Sequence, residues 1–461
     1  MASKMLRNLI ISVMVAAVSF CAHALKIEIN KGRVTQDPIA IVDFYENDGE
    51  DSDVGSEICK IIRSNLETSG LFIPINPVGF LESKKTLCQN GPNIKNWSVL
   101  NARFLVHGKI TSGWGLEINF ELVDVVTGAK MLTTKVSGSK SKLRQVAHIV
   151  SDLIYERITT EKGYFNTNII YVETVSGGTP KHRKTRLVKI DQDGYGPMRL
   201  TNGDELVLTP RYSADGKHIA YISYRDKARD ALGKSAHVYM MNASNGSVKP
   251  MISNDIMKIL VKQNNERPVQ MTYAPRFSPD GNEAVLAIVI GGRSAIYKLD
   301  FVSNRLTQLT EHQCIDTSPC FSPDGQQIVF TSNRHGREAI YTMNSDGSNQ
   351  QRISTGEGKY SQPVWSPRGD LLAFSKQVGG QFFIGVMKPD GTGERLITSG
   401  YLVEAPCWAS NGRYLTYSAE ARPGAPSCIS VVDITGYHVR IVNTVGDGSY
   451  PAWSPTFQNQ N

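Results

Sequence analysis

Apolar and polar residues follow two different rhythms along this chain, and the change falls near residue 160. Before it, "PIAIVDF" is a continuous apolar run of strand length. "DSDVGSEICKIIRSNLETSG" sets Val54, Ile58, Ile61, Ile62 and Leu66 at helical spacing, with Ser52 or Asp53 to cap the helix and Gly70 to stop it. "RFLVHGKI", "LEINFELVDVVTG" and "GAKMLTTKVSG" alternate as strands do. "KLRQVAHIVSDLIYERI" returns to helical spacing, with Leu143, Val146, Ile149, Val150, Leu153 and Ile158 on one stripe. Helices and strands interleave, so residues 25–160 are expected to form a small α/β domain. "TEKGYFNTN" reads as a junction, with 161–167 as the linker.

After the junction the pattern is all β and it repeats. "PRYSADGKHIAYIS" starts at Pro210, "PRFSPDGNEAVLAI" at Pro275, "PCFSPDGQQIVFTS" at Pro319, "PVWSPRGDLLAFSK" at Pro363 and "PCWASNGRYLTYSA" at Pro406. From Pro275 to Pro451 the spacings are 44, 44, 43 and 45 residues. The copy at Pro319 holds four short segments, "CFSP", "QIVFTS", "AIYTMNSDG" and "QRIST". Ser-Pro-Asp-Gly joins the first two: proline presets φ at the second turn position and glycine accepts the left-handed one. Four short antiparallel strands per period is the pattern of a β-propeller blade. "PAWSP" at Pro451 supplies a first strand alone, while 168–205 supplies second, third and fourth strands without a first. Joined, they complete a blade. The expectation is a multidomain chain: the small N-terminal α/β domain followed by a six-bladed all-β propeller over 168–461, closed by its C-terminal strand. Closure removes the free edges that an open solenoid would leave.

Antiparallel connectivity sorts the loops onto two faces. The tight SPDG and NSDG turns fall on one. The long insertions, 224–236 and 253–273, fall on the other, and loops on a rigid scaffold are where binding is usually placed. On that face the residues just before each proline surround the central opening: Thr209; Tyr273 and Ala274; Asp316, Thr317 and Ser318; Ser361 and Gln362; Glu404 and Ala405; and Tyr450. They are mixed, small and polar, which suits a protein-docking surface. The rim is rich in Lys and Arg, which reads either as a solvated edge or as steering for an acidic partner.

The first 24 residues change the setting. Lys4 and Arg7 precede "NLIISVMVAAVSF" and then "AHA", the form of a secretory signal peptide cleaved after Ala24. The apolar run falls short of the ~20 residues a membrane span needs. Cleavage lowers the net charge of +7 by two, too little to argue nucleic-acid binding. An oxidising compartment permits disulfides among the remaining cysteines, and Cys59 with Cys88 is the expected pairing. The acidic stretch "ENDGEDSD" lacks the alternating ligands and terminal glutamate of an EF-hand and reads as a solvated loop. No G-x-S-x-G or H-E-x-x-H occurs, and "GKS" at Gly233–Ser235 lacks the first glycine of a phosphate loop. The chain reads as a non-enzyme without cofactor or metal.

A signal peptide, a small α/β domain and F-S-P-D-G and W-S-P repeats together resemble the TolB family of periplasmic Tol-Pal components. The stretches that carry the resemblance are "DTSPCFSPDGQQIVFTSNRHGREAIYTMNSDGSNQQRIS", "YPAWSP" and "KIEINKGRVTQDPIAIVDF". The resemblance implies a monomeric, non-catalytic periplasmic adaptor with no direct membrane insertion. It implies that the propeller mouth binds the lipoprotein Pal, and that the N-terminal region meets TolA, supporting outer-membrane integrity and division. It also implies an N-terminal switch segment, here Lys26, Ile27, Glu28, Ile29, Asn30, Lys31, Gly32 and Arg33. The two long insertions depart from the family pattern beside the implied Pal site. The alternative from the residues alone is a propeller that binds a small ligand or peptide in its central channel.

Overall fold

The computed structural model describes residues 35–47, 49–175, 184–224, 236–311 and 313–457. The leader, the switch segment Lys26–Arg33, "GKS" and nearly all of the 224–236 insertion lie outside them.

Asp37–Ile41 (β1) pairs in parallel with Phe72–Pro74 (β2) and Phe104–Ser112 (β3), and Leu116–Asp124 (β4) and Lys130–Gly138 (β5) continue the sheet antiparallel. Alternation along β1 sends Ile39 and Ile41 to one apolar cluster and Ala40 and Val42 to another. Helix α1 (Asp53–Thr68) covers the first face, and Ser52 caps it by accepting from Gly55 N. The short helices α2 (Lys84–Asn90) and α3 (Ile94–Val99) bury Leu87 and Trp97 on the other face. Helix α4 (Leu143–Thr159) packs beside α1.

The expected Cys59–Cys88 disulfide is not formed. Cys59 sits on α1 in the first cluster and Cys88 beside the second, with the sheet between them. Their thiols donate instead to Val42 O and Asn47 O, at 3.4 and 3.3 Å. The apolar stripe of α4 is also turned from the expected one. Ala147, Val150, Ile154 and Tyr155 are buried, while Ile149 and Leu153 are only half-buried, because this helix packs against the repeat region as well as α1.

The junction is no loose tether. Tyr164 and Phe165 are fully buried, and the Tyr164 ring lies 4.4 Å from that of Tyr414 and 5.9 Å from that of Trp453. One apolar cluster therefore runs from α1 and α4 into the repeat region. Polar contacts seal its edge: Tyr414 OH donates to Ser69 O at 2.8 Å, Gln192 Nε2 to Asn65 Oδ1 at 3.2 Å, and Arg144 binds Asp191 and Asp193.

The repeats form three four-stranded sheets that begin with Asp316–Phe321, Lys359–Trp365 and Leu402–Trp408. In a fourth, Gly448–Trp453 pairs antiparallel with Asn168–Thr174 across 286 residues of chain at Asn168 and Ser454. The two repeats that begin with Leu206–Tyr212 and Val269–Phe277 merge into one eight-stranded sheet through a parallel pair at Ala236 and Met271. The 253–273 insertion holds one helix: α5 (Asn254–Gln263), capped by Ser253, buries Ile256, Met257 and Leu260 and feeds the long strand Val269–Phe277. The six first strands contact one another in chain order, and Gly448–Trp453 also contacts Leu206–Tyr212.

Each SPDG turn is closed by its own side chains. In the copy at Pro319, Ser322 Oγ donates to Asp324 Oδ1 at 2.5 Å and accepts from Gln327 N at 2.9 Å, while Gly325 takes φ +72°. These turns face the N-terminal domain. Ser213, Ser278, Ser322 and Ser366 line a cavity of about 710 Å³ together with Asp152 and Glu156 of α4 and the junction residues Lys162 and Gly163.

Candidate functional site

At the opposite end of the channel the first strands carry a feature that the spacing of the repeat alone does not reveal. The residue before each proline is left-handed: Thr209 at φ +48°, Ala274 at +52°, Ser318 at +52°, Gln362 at +53°, Ala405 at +56° and Tyr450 at +51°. None is glycine. All six first strands shift register against the second strand across this residue, so each carries a β-bulge there. Left-handed non-glycine residues cost about 1–2 kcal/mol each and persist where the surrounding structure holds them.

The surroundings do hold them. Gln362 Oε1 accepts from Ser375 Oγ at 3.0 Å and from the Ala405 amide at 2.7 Å, which ties one first strand to the next. Tyr450 N donates to Ser418 Oγ at 2.8 Å. Tyr273 OH donates to Ser294 Oγ at 3.1 Å, and Ser294 in turn donates to Asp316 O at 2.8 Å. Burial and the nearby Glu420 carboxylate push Glu404 above the usual carboxylate range, against hydrogen bonds from Tyr450 and Gln362.

Of the eleven candidate mouth residues, nine are half-buried at the channel end: Thr209, Tyr273, Ala274, Thr317, Ser318, Ser361, Gln362, Glu404 and Tyr450. Asp316 and Ala405 are each only 1 % exposed, so their side chains offer no contact surface. Asp316 acts from beneath: its carboxylate binds Arg334 Nη2 at 2.9 Å. Arg334, one of the basic rim residues together with Lys184, Arg293, His335 and Arg337, is thereby paired. It also bonds Ser332 and Gln350 and lies 4.9 Å from the centre of the Tyr341 ring. Of the rest of that rim, Lys181, His182, Arg183, Arg225, Lys227 and Arg229 lie outside the described residues.

Sequence reasoning missed the apolar part of this face. Ile315, Tyr401 and Val445 stand just before first strands and Tyr224 ends a second strand, and all four are between 38 and 48 % exposed. A large apolar residue in the connection entering three of the repeats was the available signal.

Two family models match the chain. The TolB amino-terminal domain matches residues 25–131, and the TolB beta propeller domain matches 155–457, well over half of the sequence. The chain belongs to the TolB family. Over 212 residues it is 44 % identical to the Tol-Pal system protein TolB of Paramagnetospirillum magneticum, which is 46 % of this chain and 47 % of that protein. The aligned stretch thus spans about half the length of this relative. The crystal structure of TolB from Acinetobacter baumannii superimposes with a TM-score of 0.77, covering 93 % of this chain and 99 % of that one at 24 % identity, and so shares the fold. No helix among the described residues is long and apolar enough to cross a membrane.

Proposed function

We propose that this TolB-family chain is a non-catalytic periplasmic adaptor of the Tol-Pal system. In this reading residues 1–24 are a cleaved leader, 25–160 the N-terminal domain, 161–167 the junction and 168–461 a six-bladed propeller closed by its C-terminal strand. The mouth binds the lipoprotein Pal. The N-terminal region, with Lys26–Arg33 as a switch, meets TolA, and together they support outer-membrane integrity and invagination during division. The observation that carries the docking reading is the ring of six left-handed residues around the channel mouth, beside the exposed Ile315, Tyr401, Val445 and Tyr224. A rigid polar ring with apolar residues at its edge suits a protein partner. The non-catalytic reading is supported by the carboxylate of Asp316, which is already occupied by Arg334.

Calorimetric titration of residues 25–461 with the soluble domain of the host's Pal-like protein tests it. Thr317→Arg would project a long cation into the docked surface and is expected to weaken binding by about 100-fold, roughly 2.7 kcal/mol. No binding by the wild type, with both proteins folded, would overturn the Pal assignment.

A further inference from the structure

One residue past each proline, the first strands turn Arg211, Arg276, Cys320, Val364, Cys407 and Ala452 to equivalent positions. Two are guanidinium groups and none is a carboxylate. Arg276, Cys320, Val364 and Cys407 line the 710 Å³ cavity of the channel. Arg211 and Arg276 stand on first strands that touch each other.

Neither arginine has an acidic partner among the described residues. Arg211 Nη1 donates only to main-chain carbonyls, at 2.6 Å to Pro210 O and 3.5 Å to Pro451 O. Its remaining N–H groups are left over. The two carboxylates on the cavity wall, Asp152 and Glu156, lie at the N-terminal-domain end, and Asp152 accepts from the amides of Phe165 and Asn166 at 2.7 and 3.0 Å. The same wall brings Tyr212 and Trp365, whose hydroxyl and indole N–H are buried and make no hydrogen bond. At the equivalent first-strand positions beside the two arginines, no carboxylate stands opposite either guanidinium. Desolvation, with Arg276 beside it, draws the Arg211 guanidinium down to about 9. Unpaired cations inside a protein are costly unless something neutralises them.

We propose that the channel binds a small oxyanion, of the carboxylate, phosphate or sulfate class, clamped between Arg211 and Arg276. Planar guanidinium groups suit such an anion because each can offer two parallel N–H bonds. The site needs nothing from a docking partner, so it stands or falls independently of the Pal reading. The same carboxylate chemistry has two sources: a free anion, or an acidic side chain that a docked protein inserts through the mouth.

The test uses residues 25–461 in sodium chloride and in sodium sulfate, phosphate or citrate at matched ionic strength. The wild type should show saturable heat on titration and a rise in its unfolding midpoint of about 2 °C at tenfold excess over Kd. General salting effects act on every variant alike, so the difference from Arg276→Met and from the Arg211→Met/Arg276→Met pair is the readout. Both variants should lose the saturable heat. In chloride alone Arg276→Met should melt above the wild type, because like-charge repulsion is relieved. Arg276→Gln stands in if the methionine variant does not fold. Sulfate that weakens partner binding would identify the partner's carboxylate as a second occupant of the pair. Partner binding indifferent to sulfate, with saturable heat, would leave the free anion as the occupant. Equal responses in wild type and variants, with no saturable heat and no sulfate effect on the partner, would overturn the proposal.

Discussion

Replacing Arg334 with methionine isolates what holds the mouth in shape. Asp316 is 1 % exposed, its Oδ2 meets Arg334 at 2.9 Å, and its Oδ1 is buried without a partner. Removing one member of a buried ion pair costs about 3–5 kcal/mol, because a charge is stranded. The Arg334 side chain is 22 % exposed, so water reaches the vacated space and the cost falls toward ~2–3 kcal/mol. Methionine keeps apolar contact with Phe330 and Tyr341, which confines the loss to charge and hydrogen bonds. Adding Asp316→Asn removes the stranded charge, so the double variant should recover about half of the loss. Urea unfolding followed by tryptophan fluorescence reads all three variants, with the slope checked for constancy. A single-variant cost below about 0.5 kcal/mol, or a double variant whose loss equals the sum of the singles, would refute the account.

Two further predictions follow from strain and from burial. Ala274→Gly should stabilise by about 0.5 kcal/mol, since relief of the left-handed Cβ exceeds the entropy that glycine loses. Ala405→Gly should be near neutral, because its buried methyl is worth about 0.8 kcal/mol; urea midpoints rank the two, and clear losses at both would sink the strain account. Burial depresses the pKa of both His107 and His438. The unfolded chain, with histidines near about 6.5, therefore takes up protons first, so stability is full above that pH and falls as pH drops below it. Asp152, raised to about 6 by burial, acts in the opposite sense, so the readout is the difference in unfolding midpoint between wild type and His438→Gln, which should change between pH 8 and 5; a constant difference would contradict the account.

Periodicity made the repeats legible, because each strand is short and each turn carries its own chemistry in Ser322, Asp324 and Gly325. The α1 and α4 helices were legible for the same reason: one apolar stripe on a long enough segment. What stayed hidden has no local signature. Helices α2 and α3 are too short for periodicity to speak, and α5 was masked by its place inside an insertion. Left-handed backbone at Thr209 or Gln362 is imposed by the neighbouring strands, since nothing in a threonine or a glutamine asks for it. The burial of Tyr164 and Phe165 depends on Tyr414 and Trp453, far along the chain. The mouth positions could be located from the repeat, but which of them are covered, as Asp316 and Ala405 are, is decided by packing alone.

The aromatic cluster at the junction also carries a consequence for biogenesis. Tyr155, Tyr164 and Phe165 emerge early in synthesis, whereas Trp453, whose indole N–H binds Thr167 Oγ1, arrives 286 residues after Thr167. Until the strands that carry Tyr414 and Trp453 are made, Tyr164 lacks two of the rings that bury it. A chain stopped before residue 414 should therefore expose this aromatic cluster and be cut by proteases more readily than the full chain. The junction is thus sealed only when a strand from far along the chain folds back onto it.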